Sequence, residues 1–293
     1  MYERHFGFKS KPFELTPDPA FLYLSRAHAT AMTMLEYGME SRAAFALLTG
    51  EIGSGKTTLV RRLLRELKDQ VWVGLISNTH GSFRSIHGWA LSAFGIAPAD
   101  DSSIAQYEAL VDSFVREYAK GRRTLLILDE AQNLSVEVLE ELRLLSNVNS
   151  EKDLILQILL VGQPELRTKL ARPELRQFAQ RVSVDFHLRP LDCTETQAYV
   201  RHRLAVAGGN PRLFTPEAVQ FLYARTKGVP RLLNQLCDMA LVYGFAERKS
   251  TIDAELVAQV ARERGGIWRP EQALDVGAAA VPAGANGGVH EKA

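Results

Sequence analysis

The sequence predicts an α/β fold, a parallel-sheet core followed by a domain built only of helices. Three observations predict it. Up to about residue 190, short runs of Val, Ile and Leu alternate with helical periodicities, the pattern of a parallel sheet covered on both faces. Beyond Pro190 only helical periods remain. Between the first apolar run and its helix lies Gly50-Glu51-Ile52-Gly53-Ser54-Gly55-Lys56-Thr57, a glycine-rich turn in a strand–loop–helix context.

Residues 1 to about 24 are rich in Phe and Pro and carry no helical period. They read as an extended arm that packs Phe6, Phe8, Phe13, Phe21 and Tyr23 on a core. From Ser25, an N-cap residue, Ala27, Ala31, Met34, Leu35 and Met39 recur at helical spacing to about residue 42. The pattern continues as strand 43–49, helix 56–67, strand 71–77, helices 82–94 and 104–118, strand 124–128, helix 135–147 and strand 154–161. Short helices at 164–170 and 173–178 precede a strand of alternating polarity at 182–186. Helices at 194–207, 216–225, 231–246 and 253–264 follow, and Thr215 before Pro216 is an N-cap with proline in the first turn. The expected organisation is an arm and helix over 1–42, an α/β core over 43–190, a helical domain over 191–267 and a disordered tail over 268–293, where Ala and Gly dominate.

Composition narrows the function. The 293 residues are 46% hydrophobic and 24% charged, which fits a soluble chain of about two domains. Thirty-five basic residues balance 34 acidic ones to a net charge of +1, so no global pull toward nucleic acid or an anionic membrane arises. Cys193 and Cys237 cannot make a disulfide framework and read as small buried apolar residues. The N-terminus lacks the apolar run of a signal peptide. The longest apolar stretch, 154–162, falls short of the roughly 20 residues that cross a bilayer. The expected location is therefore cytoplasmic, with no direct membrane span, and peripheral at the inner membrane only through a partner. The seven histidines, His28 and His87 among them, show no metal-ligand spacing and read as surface or core residues. Trp72, Trp89 and Trp268 read as packing residues.

The chemistry concentrates at strand ends. In the glycine-rich turn, Gly50, Gly53 and Gly55 let the backbone wrap close to an anion, with the N–H groups and the positive helix end directed at it. Lys56 can reach the outer phosphates of ATP, and the Thr57 hydroxyl can ligate Mg²⁺. With Glu51, Ile52, Ser54 and Thr58 these residues make the candidate nucleotide-binding set. The run Leu125-Leu126-Ile127-Leu128 ends in Asp129 and Glu130. There Asp129 would hold Mg²⁺ and Glu130 would act as general base on the attacking water. Gln163 follows another apolar run and could orient that water. Arg176 and Arg181 flank a short helix, and Arg231 opens a helix after Gly228-Val229-Pro230. A guanidinium matches phosphate geometry, so one arginine could sense the γ-phosphate and another could act from a neighbouring copy.

These motifs stand in the order of an AAA+ ATPase. The opening is more specific. Phe6-Gly7-Phe8, Lys11-Pro12-Phe13, Leu15-Thr16-Pro17-Asp18-Pro19, Phe21-Leu22-Tyr23-Leu24-Ser25 and His28, together with Val161-Gly162-Gln163-Pro164-Glu165-Leu166, resemble the ExeA/GspA family of secretion, MSHA-pilus and exosortase-associated ATPases. The resemblance covers about residues 1–265. It implies a P-loop NTPase core of AAA+ type with an all-helical lid. Gly50, Gly53, Gly55, Lys56 and Thr57 correspond to Walker A, and Asp129 and Glu130 to Walker B. Gln163 takes the sensor-1 position and Arg231 sensor 2. Arg176 is the preferred arginine finger and Arg181 the second choice, while the arm near Phe13 and Leu15 would line an adenine pocket. The implied activity is hydrolysis of Mg·ATP in an ATP-dependent homo-oligomer that drives an envelope-assembly or secretion partner. Secretion members add a transmembrane helix and a peptidoglycan-binding segment. This sequence shows neither, so a cytosolic partner-driving role is expected over direct cell-wall contact.

Three other classes fit parts of the sequence. Transposition-regulator-type AAA+ ATPases share the core and bind DNA. A nucleotide-gated scaffold would bind ATP without hydrolysing it, which Glu130 disfavours. A P-loop kinase would need a small-substrate pocket, and the helical domain with Arg231 disfavours that.

Overall fold

The computed structural model describes residues 1–16, 18–67, 70–77, 85–148 and 154–263. The expected tail at 268–293, with Trp268, lies outside the described residues. Five strands, β1 (Phe45–Gly50), β2 (Val71–Ile76), β3 (Arg123–Leu128), β4 (Leu156–Gly162) and β5 (Val182–Leu188), form one sheet in the order β2-β3-β4-β1-β5. Every pairing is parallel. Strands β1 and β4 are buried along their whole length because helices cover both faces, which explains their unbroken apolar runs.

Successive strand residues point to opposite faces. Leu47, Leu126, Ile158 and Leu160 face α4 (Ile86–Phe94), α5 (Ser103–Ala119) and α6 (Val136–Leu145). Leu48, Ile127, Leu159 and Val161 face α2 (Arg26–Glu40) and α3 (Lys56–Leu67). Trp72 packs as expected, with ring centroids 4.5 Å from Phe94 and 6.2 Å from Phe114; Trp89 is about half exposed. Register then positions the chemistry. Leu128 pairs with Leu160 and Thr49 with Gly162, so the residues that follow β1, β3 and β4 emerge at one edge of the sheet.

Past β4, two short helices, α7 (Glu165–Leu170) and α8 (Arg176–Ala179), lead into β5. The helices α9 (Cys193–Val206), α10 (Pro216–Thr226), α11 (Pro230–Ala246) and α12 (Ala254–Glu263) then build their own core around Leu204, Leu222, Leu233, Leu241 and Val257. The helix expected at 82–94 begins at Ile86, capped by Ser85; residues 82–84 lie outside the described residues. Among the described residues, no helix is long and apolar enough to cross a membrane.

Two expectations are corrected. The arm is not wholly extended. Residues Tyr2–Phe6 form α1, closed by Gly7 in the left-handed conformation (φ 74°) with Phe8 N–H on Glu3 O at 2.8 Å. Five residues are too few to show a helical period, which is why the sequence hides it. A 3₁₀ turn, Pro19–Phe21, adds a second departure, capped by Asp18. Cys193 is exposed at the start of α9, and only Cys237 is buried. The arm also packs on the helical core, through Tyr2, Phe8 and Phe13, whereas the next helix, α2, packs on the sheet. The chain thus crosses from the helical part to the sheet at Ser25.

Candidate functional site

The glycine-rich turn leaves β1 and enters α3. Gly53 (φ 79°) and Gly55 (φ 103°) take backbone states that L side chains rarely adopt. Lys56, the first residue of α3, is buried, and its ammonium donates to Gly50 O (2.7 Å) and Glu51 O (2.9 Å). Burial lowers the Lys56 pKa, while the nearby carboxylates of Glu130 and Asp129 oppose that shift.

The two acids after β3 meet this turn. The Thr57 hydroxyl donates to Asp129 Oδ2 at 3.1 Å, and the Glu130 N–H donates to Asp129 Oδ1 at 2.9 Å. Burial raises the Asp129 pKa, and those two hydrogen bonds pull it back. Glu130 itself is held at φ 56°, an uncommon state for a side chain with a Cβ. Its Oε2 accepts from Gln132 Nε2 (2.6 Å) and from Gln163 Nε2 (3.3 Å). Gln132 Oε1 accepts in turn from Gln163 N–H at 3.0 Å. Two amides, one from the turn after β3 and one from the end of β4, therefore orient one carboxylate. Lys169 in α7 fixes the turn by donating to the carbonyls of Gln132 and Leu134.

The helical part closes the other side. Arg231, in the first turn of α11, donates its N–H to Gly53 O at 3.2 Å. A Cβ on Gly53 would come within 2.3 Å of Arg231 Cβ, so only glycine admits this approach. A cavity between turn and helices is lined by Leu15, Tyr23, Lys56, Glu130, Gln163 and Arg231, among others. Arg203 and Tyr199 of α9 and Asn234 of α11 line it too. The buried Arg203 guanidinium donates to Pro12 O (2.6 Å) and Glu14 O (3.2 Å) and lies 4.7 Å over the Phe21 ring. It thereby clamps the arm that carries Leu15. Phe13, by contrast, lies outside the cavity lining, its ring 5.9 Å edge-on from Phe214 in the helical core.

The arginines before β5 stand apart from the cavity. Arg176 is exposed at the start of α8. Arg181 is engaged within its own chain, donating to Arg143 O (3.2 Å) and Ser146 Oγ (2.9 Å). Sequence reasoning missed Gln132, Lys169, Arg203, Tyr199 and Asn234. It also treated His28 as ordinary surface or core, whereas His28 lies against the glycine-rich turn. Gln132 alone had a local signal, standing two residues beyond Glu130.

The donor set decides what fits here. Thr57 and Asp129 offer two hard oxygens 3.1 Å apart, a set suited to Mg²⁺ with phosphate and water completing the shell. The glycine-rich turn with Lys56 and the α3 N-terminus suits a polyphosphate. Glu130, oriented by two amides, suits the activation of a water molecule.

Comparison with known proteins agrees with this geometry. Residues 39–170 match the model of an AAA domain. The chain is 39% identical over 268 residues to general secretion pathway protein A of Aeromonas hydrophila, covering 91% of this chain and 49% of that protein. It is 31% identical over 88 residues to a putative ORC1-type DNA replication protein of Thermoplasma acidophilum, covering 30% of this chain and 25% of that one. The chain thus spans about half the length of the first curated relative. Among solved structures, the ORC2 protein of Aeropyrum pernix superimposes with a TM-score of 0.66 at 19% identity, over 87% of this chain and 72% of that one. Such low identity speaks to the fold alone.

Proposed function

We propose that the chain, which matches an AAA-domain model over residues 39–170 and is similar over 91% of its length to general secretion pathway protein A, is an AAA+ ATPase that binds and hydrolyses Mg·ATP between its core and its helical lid. Turnover drives oligomer-dependent remodelling of a cell-envelope system of secretion, pilus or exopolysaccharide type. The chain works in the cytoplasm and reaches the inner membrane through a partner. In this reading residues 43–190 form the nucleotide-binding core, 191–267 the lid, and 1–42 the arm and helix leading in.

The carrying observation is the Thr57–Asp129 hydrogen bond beside Lys56, which joins the phosphate-binding turn to the acidic strand end. Each side chain then has a task. Backbone amides of residues 50–57 and the Lys56 ammonium hold the phosphates. Thr57 and Asp129 hold Mg²⁺, which when bound neutralises phosphate charge. Glu130 takes the proton of the attacking water, and Gln163 orients both. Arg231 reads the phosphates from the lid. Arg176, exposed, reaches the site of the next copy, while the partners of Arg181 inside its own chain speak against it as the finger.

Calorimetry and steady-state kinetics test this. Wild type binds ATP, Lys56→Ala does not, and Glu130→Gln binds normally with kcat down at least about a hundredfold. Wild type without affinity for ATP or ADP would sink the proposal. A second reading, an ATP-dependent DNA-binding protein, draws support from the similarity to an ORC1-type replication protein. It requires DNA binding that weakens steeply as salt rises; no binding at low salt with ATP present eliminates it.

A further inference from the structure

We propose that His28 is a positioning residue for the phosphate-binding turn, a role that rests on the nucleotide site above. Its ring is buried in the first turn of α2, on the chain segment that has just crossed from the helical part. Nε2 lies 3.1 Å from Ser54 O, and Nδ1 lies 2.8 Å from Ser25 Oγ. A carbonyl only accepts, so Nε2 carries the proton and donates. Nδ1 then accepts from the Ser25 hydroxyl, whose oxygen also caps α2 by accepting from His28 N–H at 3.3 Å. Burial favours this neutral ring over the charged one.

Ser54 sits between the two left-handed glycines, the part of the turn with the most conformational freedom. In a trans peptide the C=O and the next N–H point in opposite directions. Fixing Ser54 O on His28 therefore turns the Gly55 N–H to the other side, where a phosphate would accept it. The ring also sets the spacing, since a Cβ on Gly55 would stand 2.9 Å from His28 Nε2. The start of α2 is anchored in its turn, because Arg26 N–H donates to Glu195 Oε1 of α9 at 3.1 Å. His28 thus holds the turn against a fixed element in advance of ligand.

The test compares His28→Gln with His28→Met in the full chain. The two side chains are alike in length, and only Gln can donate to Ser54 O. Two measurements are made: amide hydrogen exchange of the 50–57 peptide without ligand, and the Kd, KM and kcat for ATP. In His28→Met, exchange speeds up and ATP Kd and KM rise, each about tenfold or more, as for loss of a buried hydrogen bond. Its kcat at saturation stays within about threefold, because Glu130 and its amides are untouched. His28→Gln returns every value to near wild type. Exchange and affinity unchanged in His28→Met, or impaired equally in both variants, would overturn the role. A wild type that fails to bind ATP indicts the nucleotide reading, whereas the ligand-free exchange still judges the pinning of the turn.

Discussion

At the scale of single residues, Glu130 cannot orient itself. Its backbone is in the left-handed region and its carboxylate is aimed by the amides of Gln132 and Gln163. Truncating Gln132 removes one donor to that carboxylate and leaves the Gln163 N–H without its side-chain acceptor. Gln132→Ala should therefore lower kcat by about tenfold or more while ATP affinity stays near wild type, since positioning serves the water-activating step and not phosphate binding. Steady-state kinetics beside calorimetry separates the two; an equal loss in both would make Gln132 a structural residue. The glycine-rich turn and the acid pair were legible in the sequence because their spacing is local. Gln132 was not, because its role depends on Gln163 arriving beside it from another strand. His28 hid for the same reason, lying 26 positions from Ser54 with no spacing rule to join them.

At the scale of elements, the strands were legible because burial on both faces demands unbroken Val, Ile and Leu. The one polar interruption of β4, Gln157, has a specific use. Its amide donates toward Gly38 O (3.1 Å), Met39 O (3.3 Å) and Ala43 O (3.3 Å), serving the carbonyls where α2 ends and the chain turns into β1. Gln157→Leu keeps the volume but removes the amide donor; Gly38 O keeps the Ala43 N–H (3.0 Å) and Met39 O keeps Arg123 Nη1 (2.9 Å), so the loss falls chiefly on Ala43 O. It should destabilise the fold by about 1–3 kcal/mol, the cost of leaving one buried acceptor unsatisfied. Urea unfolding measures this directly, and a neutral or stabilising result would show that water replaces the amide. The short, nearly continuous apolar run marked β4 as a buried strand but gave no hint of this link. That information sits in the packing of α2 against the sheet. Helix α1 escaped sequence reading for a different reason, since one turn fixed by Gly7 and by burial of Tyr2 has no periodicity to display.

At the scale of the whole molecule, two consequences follow. Burial lowers the pKa of His28, His87, His187 and His202 below the ordinary histidine value of about 6.5. Between that value and the folded pKa values the unfolded chain binds more protons, so stability rises with pH there. The melting temperature should accordingly be lower at about pH 5.5 than at about pH 7.5; a flat or inverted profile would mean the histidines are solvated. The second consequence concerns assembly. Arg176 is exposed and outside the lining of its own chain's cavity, so any action on phosphate must come from another copy. The sequence put Arg176 before Arg181 as the finger, and Arg181 is held within its own chain by Arg143 O and Ser146 Oγ. Lys56→Ala should be inactive for lack of phosphate binding, and Arg176→Ala inactive for lack of a finger. Mixed in equal amounts they complement, because an Arg176→Ala site is completed by the arginine of a Lys56→Ala neighbour. Random assembly makes about a quarter of the interfaces productive, so ATPase activity should return to about that share of wild type. Two inactive variants that stay inactive when mixed, under conditions where wild type oligomerises with ATP, would remove Arg176 from the site.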